Sequence, residues 1–222
     1  MREKLFDKTA STLSSNILAA SLKLEGVQKM SQEPERTILT IGHSTRTLDE
    51  FLTMLKVYHV TLVVDVRSVP RSRHNTQFNK ETLPDALKLV GMKYVHMPEI
   101  GGLRRPKRDS VNLAWRNKSF RGYADYMQMK EFTEQLLKII ALARENCVAI
   151  MCAEALPWRC HRSLISDALV VRYIEVKHIL NAESSISHKL TEWAHVEGTR
   201  ITYPLFTRET PQQILGDFGT ST

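Results

Sequence analysis

Thr61-Leu-Val-Val-Asp65-Val66 is the stretch that decides the fold. It is β-branched, apolar on both faces and too short for a helix, so it reads as a buried strand of a parallel sheet. The flanking sequence repeats the theme. Upstream, Ile38-Leu-Thr-Ile41 is a short apolar strand ending in Gly42-His43-Ser44-Thr45. Thr47-Leu-Asp-Glu50 then reads as a capping box that opens a helix through Phe51, Leu52, Leu55 and Tyr58. Downstream, Glu81 to Val90 reads as a helix stopped by Gly91, and Tyr94-Val95-His96-Met97 as a third strand.

Further along, Tyr126, Met129, Phe132, Leu136, Ile140 and Ala143 recur at spacings of three and four, predicting a helix of about five turns. Val148-Ala-Ile-Met151 is the fourth strand, and Leu164, Ile165, Ala168 and Leu169 mark another amphipathic helix. Glu175 to Leu180 is the fifth strand. Ser185 to His195 is expected to be helical and Ile201-Thr-Tyr203 to form an edge strand. Strands alternating with helices predict a single three-layer α/β domain. Its sheet should be mainly parallel with about five strands, Rossmann-like or rhodanese-like in general architecture. We expect this domain over residues 37–205, a loose N-terminal extension over 1–36 and a C-terminal tail over 206–222. Met30 looks like a natural start of its own.

Composition narrows the class. A hydrophobic fraction of 42% and a charged fraction of 25% suit one soluble domain with a proper core. No apolar run approaches the roughly 18–20 residues that span a bilayer, and no export signal precedes the first strand, so the expected location is cytoplasmic with no membrane partner. Three cysteines, Cys147, Cys152 and Cys160, are an odd number without C-x-x-C spacing. A disulfide framework is therefore not expected, and any special thiol should be chemical rather than structural. The net charge of +7 favours phosphorylated or nucleic-acid partners. The charge is uneven: Arg104 to Arg121 carries seven Lys/Arg and one acid, and Arg67 to Lys80 four Lys/Arg and none. These are either solvated basic loops or an anion site.

In a parallel sheet, ligands bind beyond the carboxyl ends of the strands. Gly42-His43-Ser44, Asp65-Val-Arg67-Ser68, the Gly101-Gly102 loop and Cys152-Ala-Glu154 all lie at or past such ends. Four polar clusters distant in sequence are thus expected to meet on one edge.

Thr40-Ile-Gly-His-Ser-Thr45, Asp65-Val-Arg-Ser-Val-Pro-Arg-Ser-Arg73, Phe78-Asn79 and Gly101-Gly102 recur in order with Cys152-Ala-Glu, Pro157, Cys160-His161-Arg162 and Val176-Lys-His178-Ile179. Together they resemble the family of the domain of unknown function 488, over roughly Thr37 to Leu180. The residue before the double glycine, usually Leu in that family, is Ile100 here. The resemblance implies an α/β domain and brings no reaction with it.

The site residues are read from their chemistry. Cys160-His161-Arg162 stands where a loop enters a helix, so free amides and the helix dipole would favour a thiolate or a bound phosphate. Cys160 is then a nucleophile, or else a small buried residue packing the turn. Cys152 ends a strand and reads as core, with a partial rhodanese likeness as the alternative. Glu154 is a general base, or an ion-pair partner of Arg67 or Arg162. His43 is an acid/base group or a hydrogen-bonded structural residue, and Asp65 fixes loop amides or Arg67. Arg67, Arg71 and Arg73 alternate and would project one way from an extended loop, suiting bidentate anion contacts. The candidate set is Cys160, His161, Glu154 and His43 for chemistry. For anion binding it is Arg67, Arg73, Gly101, Gly102, Arg162, Ser44 and Asp65. No metal is expected, because the Cys/His spacing matches no zinc signature, and no cofactor is read. The leading expectation is an enzyme acting on a phosphate-bearing small molecule, nucleotide or nucleic-acid end. The alternatives are a non-catalytic nucleic-acid or ligand-binding module and a rhodanese-like thiol or sulfur-handling enzyme.

Overall fold

The computed structural model describes residues 37–205; the expected N-terminal extension and the expected C-terminal tail lie outside the described residues. Five parallel strands form the body of the sheet: β1 (Thr37–Gly42), β2 (Leu62–Asp65), β3 (Lys93–His96), β4 (Val148–Cys152) and β5 (Glu175–Ile179). A short antiparallel edge strand, β6 (Ser185–Ser187), joins β5, and the strand order is β3-β2-β4-β1-β5-β6. The helices are α1 (Leu48–Val57), α2 (Leu83–Leu89), α3 (Lys118–Tyr126), α4 (Lys130–Leu142) and α5 (Arg162–Val170). A single α/β domain with three layers results. Among the described residues no helix is long and apolar enough to cross a membrane.

Alternation along the strands divides the core. On one face Leu62, Val64, Val148, Ile150 and Ile38 pack with Phe132, Leu136 and Ile139 of α4 and with Leu164, Ile165 and Leu169 of α5. On the other, Val63, Ala149, Met151, Leu39 and Ile41 pack with Phe51 and Leu55 of α1 and with Leu83 and Leu87 of α2. Strands buried on both faces need apolar residues at every position, which is why β2 and β4 read as continuous hydrophobic runs. Thr47 caps α1 as expected, accepting from the Glu50 amide while the Glu50 carboxylate accepts from the Thr47 amide.

Three local expectations are corrected. The five-turn helix from Tyr126 is two helices, because the chain breaks over Met127–Met129 and α4 starts at Lys130. Ser185 to His195 is not helical: Ser185-Ile186-Ser187 pairs with the free edge of β5, and a Ser- and Ile-bearing segment offered a sheet edge gains ladder bonds there. Ile201 lies in β8 (Arg200–Thr202), which pairs with β7 (His195–Glu197) as a separate two-stranded sheet rather than at the edge of the main one.

The long basic segment after β3 is pinned rather than loose. Asp125, buried on α3, accepts from the Lys107 amide, the Ser110 hydroxyl and the Asn112 side chain. Asn112 in turn accepts from the Tyr203 amide.

Candidate functional site

Neighbouring strands β1 and β4 send their following helices to opposite faces: α1 packs on one side of the sheet and α5 on the other. A crevice opens at such a switch point, beyond the strand ends. Pairing continues past the strands, with the His43 amide donating to the Cys152 carbonyl at 3.0 Å and the Ser44 amide to the Ala153 carbonyl at 2.9 Å. Glycine is required at position 42, where a Cβ would come within 1.9 Å of the Glu154 carbonyl oxygen and 2.9 Å of an Arg162 guanidinium nitrogen. Ser44, at φ 51°, makes the turn that carries the chain away.

Two sulfurs lie at the crevice. Cys152 Sγ, at the end of β4, is 2.9 Å from Cys160 Sγ, and both residues are buried. Pro157–Arg159 form one 3₁₀ turn that brings the chain back, so Cys160 stands just before α5. The Arg162 amide points at Cys160 Sγ from 3.5 Å. The Arg162 side chain is 1% exposed and meets no carboxylate among the described residues: its guanidinium donates to the Glu154 and Ala155 carbonyls and to the Thr40 hydroxyl. Burial raises the Cys160 pKa, but the Cys152 hydrogen bond, the Arg162 charge and the Arg162 amide outweigh it and bring it down to about 6. Cys152 moves the other way, held protonated by its hydrogen bond to Cys160 and by burial. Burial likewise raises the pKa of Cys147, whose thiol lies by the Tyr58 carbonyl and away from the crevice.

Beside the thiols is a closed polar set. Asp65 is fully buried and accepts from the Arg67 amide, from Arg67 Nε and Nη2, and from the Tyr94 hydroxyl. Arg67 also donates to the Phe78 carbonyl and to His43 Nε2, at 3.1 Å. His43 Nδ1 donates to the Ser44 carbonyl, and its ring stacks on Phe78 at 4.3 Å. With both nitrogens hydrogen-bonded, and with burial first among the causes lowering its pKa to about 4, His43 is held neutral. Arg67 is largely taken up as well. A guanidinium has five N–H donors, and these contacts leave it one Nη1 hydrogen. Glu154 pairs with neither arginine through its carboxylate; it reaches Arg162 through its backbone carbonyl, and the exposed side chain is left at the crevice rim.

Other expectations divide. The Gly101 amide donates to the Pro98 carbonyl, so it cannot cradle an anion. Its missing Cβ instead admits Ser68 Oγ, and that of Gly102 admits the His161 ring. His161 Nδ1 is 3.5 Å from Cys160 Sγ, and burial lowers the ring's pKa, so it is a neutral neighbour of the thiol. Arg73 is exposed and away from the crevice, because Arg67 to Lys80 winds through bends and a 3₁₀ turn instead of running as a strand. Arg71 and Arg159 reach it instead. Phe78, a motif residue, and Tyr94, a strand residue, join the site through contacts with residues 35 and 29 positions away in sequence, which neither motif nor strand pattern announces.

These residues surround a cavity of about 740 Å³ lined by His43, Ser44, Arg67, Gly102, Cys152, Glu154, Cys160 and His161, with Arg71 and Arg159 also on its wall. The model of the family described as Domain of unknown function DUF488 matches residues 47–169, more than half of the chain. The chain belongs to the DUF488 family. No curated protein and no solved structure matches it. The DUF488 match takes in Asp65, Arg67, both glycines, both crevice cysteines, Glu154, His161 and Arg162, and leaves out His43 and Ser44, which follow β1.

Cys152, Cys160 and His161 place three potential metal-ligating atoms within 4.8 Å of one another in this DUF488 domain. Two thiolates at about 2.3 Å from a tetrahedral zinc stand about 3.8 Å apart. The sulfurs here are closer, at 2.9 Å, and suit each other better than a shared ion.

Proposed function

We propose that the protein is an enzyme whose nucleophile is the Cys160 thiolate and whose substrate is a small anionic molecule bearing phosphate or carboxylate. One observation carries this reading: Cys160 lines a cavity and lies beside a buried arginine that has no carboxylate partner among the described residues. A buried cation without a counter-ion favours an anion nearby, and the thiolate is that anion. The amide at the start of α5 adds to the effect, as does the dipole of that helix.

The cavity volume falls in the range of small-molecule sites, which favours a metabolite over a nucleic-acid surface. Arg159 and Arg71, both exposed on its wall, add positive charge to that of Arg67, which is closed on Asp65; Arg71 shares its charge with the exposed Glu81. Glu154 is the carboxylate on the cavity wall and the group placed to move a proton to or from bound substrate.

The test is iodoacetamide labelling of the native protein over a pH series, mapped by peptide. Cys160 should label first, with a half-maximal rate near pH 6, against about 8.5 for an ordinary thiol. Inorganic phosphate should protect it. Labelling that begins at Cys152, or requires denaturant at every cysteine, overturns the reading.

A further inference from the structure

We propose that Cys152 resolves covalent adducts of Cys160, so that the crevice is a dithiol that exchanges with small anionic disulfides. This rests on Cys160 being the nucleophile and names the substrate class that a second thiol requires. The two sulfurs are 2.9 Å apart, about 0.9 Å longer than the bond of about 2.0 Å that would join them. Cys152 Sγ has Cys160 Sγ as its hydrogen-bonding partner. An acyl or phosphoryl enzyme has no use for a second thiol in contact with its nucleophile, whereas a disulfide-exchanging enzyme needs one.

The surroundings hold this geometry. Residues 153–159 connect the cysteines, and the connection is fixed by Arg162 donating to the Glu154 and Ala155 carbonyls. Gly42, with no side chain, lets that connection lie directly against β1. Both sulfurs belong to residues on the wall of one cavity, so an adduct on Cys160 would form where Cys152 can reach it. Arg71 and Arg159 on the same wall favour a disulfide with carboxylate or phosphate arms.

In the first step the Cys160 thiolate attacks one sulfur of R–S–S–R. The Cys160–S–S–R bond forms, and R–S⁻ leaves with the electron pair. In the second, the Cys152 thiol gives its proton to the departed thiolate and attacks Cys160 sulfur. The Cys152–Cys160 bond forms as the second R–S⁻ leaves and takes a proton from water. Two electrons pass from the protein dithiol to the substrate, which ends as two thiols. Excess small thiol runs the same steps backwards.

The experiment uses the full chain and oxidised glutathione as the probe, with peptide mapping by mass. Wild type should lose two hydrogens, show its Cys152 and Cys160 peptides cross-linked and retain no glutathione. Cys152→Ser should hold one glutathione on Cys160, and Cys152→Ala, with an unchanged melting curve, should do the same if the serine disturbs folding. Wild type that keeps glutathione on Cys160 with Cys152 free overturns the resolving role and leaves the nucleophile in place. No modification at Cys160 in any of the three proteins overturns both.

Discussion

Asp65 and Arg67, two residues apart at the end of β2, form a closed ion pair: both guanidinium Nε and Nη2 reach the carboxylate, and both side chains are buried. Tyr94 from β3 completes the carboxylate, and His43 and Phe78 complete the guanidinium. The pair is thus a joint between three strands' ends. Removing one partner of such a pair strands a buried charge, at a cost of about 3–5 kcal/mol. Asp65→Asn should lower stability by that order in urea unfolding. Arg67→Met, which removes the charge while filling space, should cost less than Arg67→Ala.

Gly42→Ala should abolish the site without replacing any polar side chain in it. The new Cβ meets the Glu154 carbonyl carbon at 2.7 Å and its oxygen closer still, so backbone has to move. The moving segment joins Cys152 to Cys160. If the variant folds, its iodoacetamide rate at Cys160 at pH 7 should fall at least tenfold; a native rate would show that the clamp is unnecessary.

Acid should destabilise the fold through histidines that are kept neutral. His43 is lowered to about 4, chiefly by burial, and His178 to about 3, by burial and then by the charges of His188 and Arg162. Unfolded histidine titrates near 6.5, so between 6.5 and about 4 the unfolded chain binds more protons and stability falls as pH falls. Melting temperature should drop steadily as pH falls below 6.5; above 6.5 it should still rise gently toward about 8.5, because folded Cys160, at about 6, has given up a proton that the unfolded thiol keeps. His43→Gln should show a shallower drop, whatever its stability at pH 7.

Asp125 accepts hydrogen bonds from three residues of the 107–112 loop. Asp125→Ala should release that segment, and limited trypsin digestion should then cut at Arg104, Lys107 or Arg108 well before the domain is lost. The stability cost should be on the order of 3 kcal/mol. Unchanged digestion would mean that the loop is held by other contacts.

The parallel strands were legible because burial on both faces leaves a local signature: Val63 and Val64 face opposite cores and both must be apolar. The site was legible in outline, since the strand-end rule brings His43, Arg67, Cys152 and Glu154 together from sequence alone. What each does there was not legible. Whether Arg67 binds substrate or structure depends on Asp65 and Phe78 closing around it. Whether Cys152 is core or chemistry depends on which neighbour its sulfur meets. The helix expected over Ser185 to His195 failed similarly, because the open edge of β5 is a tertiary fact.

The environment of Cys160 has a consequence for folding. Arg162 is positioned by Thr40, 122 residues earlier, and Thr40 is held by His178, 138 residues later. Contacts of such long sequence separation carry a large loop-closure cost and form slowly. The acidity of this thiol is therefore a property of the assembled chain, absent from any fragment or partly folded state. The rate at which Cys160 reacts at pH 7 becomes a clock for the completion of folding, readable during refolding with no added probe group.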